Sequence, residues 1–107
     1  MYRLDIFCQP EQIETILGVL HEEGVDKIGN YDHCWAISKV KGSHRALDGA
    51  RPVFGKTGKL ETYQLLKIEI NVKHAQVKQT VMHLKKALGW DEPMVNIFKL
   101  ENLEFEI

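Results

Sequence analysis

Apolar and polar residues alternate with a period of two over Tyr2–Cys8, with Tyr2, Leu4, Ile6 and Cys8 on one face and Arg3, Asp5 and Phe7 on the other. That period predicts a strand with one buried face. The period then changes. Ile13, Ile16, Leu17 and Leu20 recur at offsets of 3, 4 and 7, lining one side of a helix. Pro10 suits a first helical turn, Glu11 and Glu14 sit where the helix dipole favours negative charge, and Gly24 ends the element. A helix this short is not stable alone, so its stripe must pack on an apolar sheet face.

Residues 24–31 carry two Gly and an Asn, which accept positive φ and interrupt regular structure. Residues 34–41 read as a second strand, with Cys34, Ala36, Ser38 and Val40 opposite Trp35, Ile37 and Lys39. Residues 42–58 hold four Gly and a Pro, a long loop of the kind that serves function or assembly. Its Pro52, Val53 and Phe54 form an apolar tip expected to pack on a neighbouring subunit. The strongest strand signal spans residues 59–72, and a bulge near Gln64–Leu66 is expected where two adjacent Leu break the alternation. Val77, Val81, Leu84 and Leu88 then mark a second helix, with Lys85 and Lys86 at its negative end and Gly89 as its stop. Residues 94–100 give a fourth strand, and alternation in the tail suggests a short extra one. The order β, α, β, β, α, β predicts an α+β, ferredoxin-like βαββαβ unit: an antiparallel sheet with two helices on one face.

At 107 residues, with 44% hydrophobic and 27% charged, the chain suits a single domain. Extra burial by self-association would help a core of this size. A net charge of -1 argues against a nucleic-acid or anionic-membrane surface. Cys8 and Cys34 are too few for a disulfide scaffold, and the opening residues lack a signal-type apolar core, so the cytoplasm is the expected compartment.

Of five histidines, His33 lies in a polar cluster, Asn30-Tyr31-Asp32-His33-Cys34, while His21, His74 and His83 read as solvated. His33, Cys34 and His44 could bind a divalent metal if the long loop folds back, although no CxxC or HExxH motif is present. The alternative makes Cys34 a buried strand residue and His33 a turn residue. Residues 49–57 superficially resemble a phosphate loop, but the spacing is one residue too long and a strand follows. No serine, cysteine or carboxylate pair shows a catalytic pattern.

The segments GNYDHC, GARPVFGKTGKLE and DEPMVNIFKLEN, in that order, resemble the YqfO-like domain, which is inserted in proteins of the NGG-one-interacting-factor-three type and also occurs as a stand-alone chain. Residues 28–34 match its GNYD motif, and Gly49, Ala50, Pro52, Gly55 and Gly58-Lys59-Leu60-Glu61 match the next ones. His44 replaces the Phe of the motif GTFRP. The last motif, HPYEEP in that domain, reads Leu88-Gly89-Trp90-Asp91-Glu92-Pro93 here, without its imidazole. The resemblance implies a CutA/PII-like fold that packs as a homotrimer through its sheet edges. The dinuclear metal centre of full-length relatives belongs to flanking domains and resembles nothing in this chain.

The expectation is therefore a small cytosolic ligand-binding or regulatory module of unknown ligand, with no catalysis and no cofactor. Asn30, Tyr31, Asp32, His33 and Glu92 are its ligand-binding candidates, meeting between subunits. The rival is a divalent-metal-binding protein or metal-dependent enzyme using the GNYDHC segment. A purely structural assembly domain is the third reading.

Overall fold

The computed structural model describes residues 1–101. The extra strand suggested for the tail lies outside the described residues. The elements are β1 (Tyr2–Cys8), α1 (Ile13–Glu22, preceded by a 3-10 turn at Pro10–Gln12), β2 (Ala36–Arg45), β3 (Leu60–Val72), α2 (His74–Leu88) and β4 (Val95–Lys99). The four strands form one antiparallel sheet in the order β2-β3-β1-β4. The α+β, ferredoxin-like arrangement expected from the sequence is the one observed. Among the described residues, no helix is long and apolar enough to cross a membrane.

The core lies where the periodicities predict. Leu4, Ile6 and Cys8 of β1 and Ile68, Ile70 and Val72 of β3 meet Ile16 and Leu20 of α1 and Leu84 and Leu88 of α2. Burying each such side chain contributes roughly 1.5 to 3 kcal/mol before the entropy of ordering the chain is counted. The helices are also joined at the surface, where Glu23 accepts from Gln79 Nε2 at 3.2 Å and pairs with His83. On the face without helices, Asp5 is 4% exposed. Its carboxylate is gripped by Arg3 at 3.0 Å, and Arg3 in turn lies over the Phe98 ring at 4.6 Å.

β2 and β3 depart from the sequence reading at three points. β2 begins at Ala36, two residues late, and continues to Arg45, past the expected loop start at Gly42. Gly42 stays in the ladder opposite Tyr63 because the crowding there demands a glycine: a Cβ would come within 2.9 Å of Leu65 Cδ1 and Tyr63 Cε2. β3 carries no bulge, since its register with β2 is unbroken from Ala36↔Glu69 to Arg45↔Leu60. Leu65 and Leu66 are adjacent because both faces are used. Leu66 packs on the helix-side core, and Leu65 is 3% exposed on the other face, opposite Val40.

β1 pairs with β3 only from Leu66 onward, so residues 60–65 pair with β2 alone. The β2–β3 hairpin therefore projects as a two-stranded arm, and the molecule measures 53 × 27 × 23 Å.

Candidate functional site

The chain leaves α1 at Glu22 and turns through Gly24. Ile28 and Tyr31 then exchange backbone hydrogen bonds of 2.8 and 3.0 Å around a two-residue turn, Gly29-Asn30. Gly29 has φ 58°, and positive φ at the first central position is what a type II′ turn requires. Asp26 O accepts from Cys34 N–H at 2.8 Å, so residues 26–34 form a closed loop at the foot of β2.

That closure brings His33 back to the end of α1. His33 is left-handed, with φ 55°, and is the sole non-glycine residue with positive φ among the described residues. Its ring stacks on His21 with centroids 4.5 Å apart. Nδ1 of His21 lies 2.9 Å from Oδ2 of Asp26, and Nδ1 of His33 lies 2.9 Å from Oδ1 of Asp32. The hydrogen bond between Asp32 and His33 holds the carboxyl below its usual range and the imidazole above its own. Asp26 is 2% exposed, whereas Asp32 and both histidines are open to solvent. One donor atom each from His21, Asp26 and His33 lie within 4.8 Å of one another. A polar depression of about 510 Å³ beside them is lined by Asn30, Tyr31 and Asp32.

The other candidates lie elsewhere. β2 runs from the foot of the turn to the arm, and His44 pairs with Glu61 eight ladder positions beyond Ala36. At the usual strand rise that separation is about 27 Å. His33, Cys34 and His44 therefore do not converge within one chain. The long loop does fold back, but onto residues 90–94, where Arg51 N–H donates to Asp91 Oδ2 at 2.9 Å. Cys34 is half-buried ahead of the strand and directs its thiol to Asp32 O at 3.5 Å. Phe54 of the apolar loop tip packs edge-on against Tyr63 and His44 of its own chain, and Val53 beside it is exposed.

Between the folded-back loop and residues 90–94 lies a groove of about 580 Å³, lined by His44, Phe54, Tyr63, Trp90, Glu92 and Met94 among others. His44 Nδ1 pairs with the Tyr63 hydroxyl at 2.8 Å, and its Nε2 is buried without a hydrogen-bond partner. Burial also raises the Tyr63 hydroxyl above its ordinary range. Glu92 thus belongs to the groove, while Asn30, Tyr31, Asp32 and His33 belong to the turn. In one chain these sets stand at opposite ends, because β2 runs parallel to β1 and β4 antiparallel to it. The sequence reading missed His21 and Asp26. The available signal was a histidine in the last helical turn and an aspartate just past the Gly24 stop.

No protein-family model matches the chain. It is similar to the GTP cyclohydrolase 1 type 2 homolog of Halalkalibacterium halodurans, with 31% identity over 102 residues, covering 95% of this chain and 27% of that protein. It is also similar to the GTP cyclohydrolase 1 type 2 homolog of Bacillus subtilis, with 28% identity over 104 residues and coverages of 97% and 28%. The chain thus spans about a quarter of the length of these curated relatives. Among solved structures, a Bacillus cereus protein related to NIF3 superposes with a TM-score of 0.80 at 22% identity, covering 94% of this chain and 26% of that one. The periplasmic divalent cation tolerance protein CutA from Archaeoglobus fulgidus superposes with 0.67 at 16% identity, covering 97% and 88%. The fold places the chain in the class of CutA/PII-like α+β domains. Within that class it is YqfO-like, in keeping with the ordered motifs at residues 28–34, 49–61 and 88–93.

Proposed function

We propose that the chain is a small ligand-binding or regulatory module that works in the cytoplasm as a homotrimer, without catalysis of its own. The groove at the root of the arm carries this reading. Its size suits a small molecule, and its walls supply three aromatic rings and the Glu92 carboxylate. The near-neutral charge supports a partner that is neither nucleic acid nor membrane.

The arm supports self-association. An isolated two-stranded ribbon is marginal in water, and both edges of this one present unpaired backbone groups that copies of the chain could cover. Asn30, Tyr31, Asp32 and His33 reach Glu92 only across a boundary between copies, so a ligand using both sets binds the assembly alone.

Thermal-shift screening of small molecules, with light scattering on the same sample, tests the reading. A ligand raises the melting temperature of the native chain, and Glu92→Gln or Phe54→Ala reduces that rise. A monomeric mass at micromolar concentration removes the trimer. Shifts identical in both variants remove the groove. A second reading, a divalent cation held through His33, is favoured by the convergence of His21 and Asp26 on that residue.

A further inference from the structure

The paired histidines at the foot of β2 carry more than a general affinity for cations. A carboxylate can only accept a hydrogen bond, so in each contact the imidazole is the donor: His21 through Nδ1–H to Asp26, His33 through Nδ1–H to Asp32. In neutral His33 that fixes the tautomer and leaves the Nε2 lone pair free, and holding Nδ1–H on a carboxylate, as Asp32 does here, is how proteins orient imidazoles that ligate metals. In His21 the nitrogen that faces the carboxylate is Nδ1 itself, so a cation shared by His21 and Asp26 would take the place of the proton between them. The two rings stand stacked, 4.5 Å between centroids, at the edge of an open depression.

Two further observations point the same way. Asp26 is a carboxylate at 2% exposure whose side-chain partner is a half-exposed imidazole, and a buried carboxylate requires a compensating charge or metal. His33 holds a left-handed backbone that a residue with a Cβ keeps only where its surroundings impose it, and this conformation places its ring over His21.

We propose that His21, Asp26 and His33 form a site for one divalent first-row transition cation of the Zn²⁺ type, bound by two imidazole nitrogens and one carboxylate oxygen, with the remaining positions open to water. Bonds of about 2.0 to 2.2 Å in tetrahedral geometry separate ligand atoms by roughly 3.4 Å. The donors already stand within 4.8 Å, so small rotations of two exposed histidine side chains close the site. Two nitrogen ligands select against Mg²⁺ and Ca²⁺, which take oxygen. The proposal rests on the reading that the turn takes a divalent cation, and supplies its ligands and metal class.

The test titrates metal-free protein with Co²⁺, followed by visible absorption, and with Zn²⁺ against a chromophoric chelator at neutral pH. The expected result is one equivalent per chain, unchanged by excess Mg²⁺. His21→Gln and His33→Gln each weaken binding by about a hundredfold, while Cys34→Ser and His44→Gln leave it unaltered. Circular dichroism of each metal-free variant checks that the fold is retained, and glutamine keeps an N–H donor for the buried Asp26. If the native chain binds Zn²⁺ and His21→Gln binds it equally well, the ligand set is wrong and the cation reading stands. If neither ion binds the native chain, both fall.

Discussion

Trp90 donates its indole N–H to Oε1 of Gln12 at 3.2 Å, joining the chain leaving α2 to the start of α1. The same oxygen accepts the backbone N–H of Gln9 at 3.0 Å, and Gln12 Nε2 donates to Leu88 O at 2.8 Å. One amide thus satisfies a group ahead of one helix and a carbonyl at the end of the other, both otherwise without an intrahelical partner. In the YqfO-like pattern the residue at Leu88 is a histidine. Here that position is 3% exposed and belongs to the core.

Gln12→Ala removes all three contacts and leaves the Trp90 indole N–H half-buried and unpaired. The expected loss is about 1 to 3 kcal/mol in urea unfolding. Trp90→Phe in the Gln12→Ala background should cost less than Trp90→Phe alone, because part of what it breaks is already gone.

Gly29→Val tests the turn that closes the loop at the foot of β2. No atom lies within 4 Å of the Cβ it would add, so the cost arises from the backbone at φ 58° and not from a clash. It should amount to about 1 to 2 kcal/mol, against a negligible change for Lys78→Ala on the exposed side of α2. Equal urea midpoints for the two variants would count against the turn.

Gly42→Val acts by the opposite mechanism. Its side chain enters space held by Leu65 and Tyr63, and overpacking of this kind costs about 1 to 3 kcal/mol. Because Tyr63 also holds His44, the histidine resonance in a proton–nitrogen correlation spectrum should move, whereas those of His21 and His33 should not.

Burial pushes the Cys8 thiol up from 9.0 to about 11. The folded chain therefore holds this proton after the unfolded chain has lost it, so stability is unaffected below pH 9 and falls as pH rises toward 11. A displacement of this size is worth about 2 to 3 kcal/mol, and the fall should be smaller in Cys8→Ala. In the native protein at pH 8, a thiol reagent should modify Cys34 and reach Cys8 only after denaturation.

Where burial follows a regular period, the sequence was legible. Leu4, Ile6 and Cys8, or Val77, Val81, Leu84 and Leu88, announce both element and inward face. β2 was less so because it is an edge strand: Ile37 remains 36% exposed, and much of the strand lacks a helix over it. Gly42 reads as the start of a loop because a glycine needed for packing and a glycine needed for a turn look alike in one dimension. Asp5 reads as an ordinary outward residue, and only the folded sheet shows Arg3 closing over it. The GNYDHC segment announced a polar turn, but its neighbours His21 and Asp26 depend on how the loop closes, through the bond from Cys34 N–H to Asp26 O.

β2 begins three residues after His33 and ends one residue after His44. Its side chains alternate between faces, so sliding it against β3 by one residue would reverse every one of them, and the smallest shift that restores the pattern is two residues, about 6.8 Å. The strand joining the two sites is therefore a notched rod and not a spring. Any sliding of β2 against β3 carries both of its ends together by a whole notch, or does not occur.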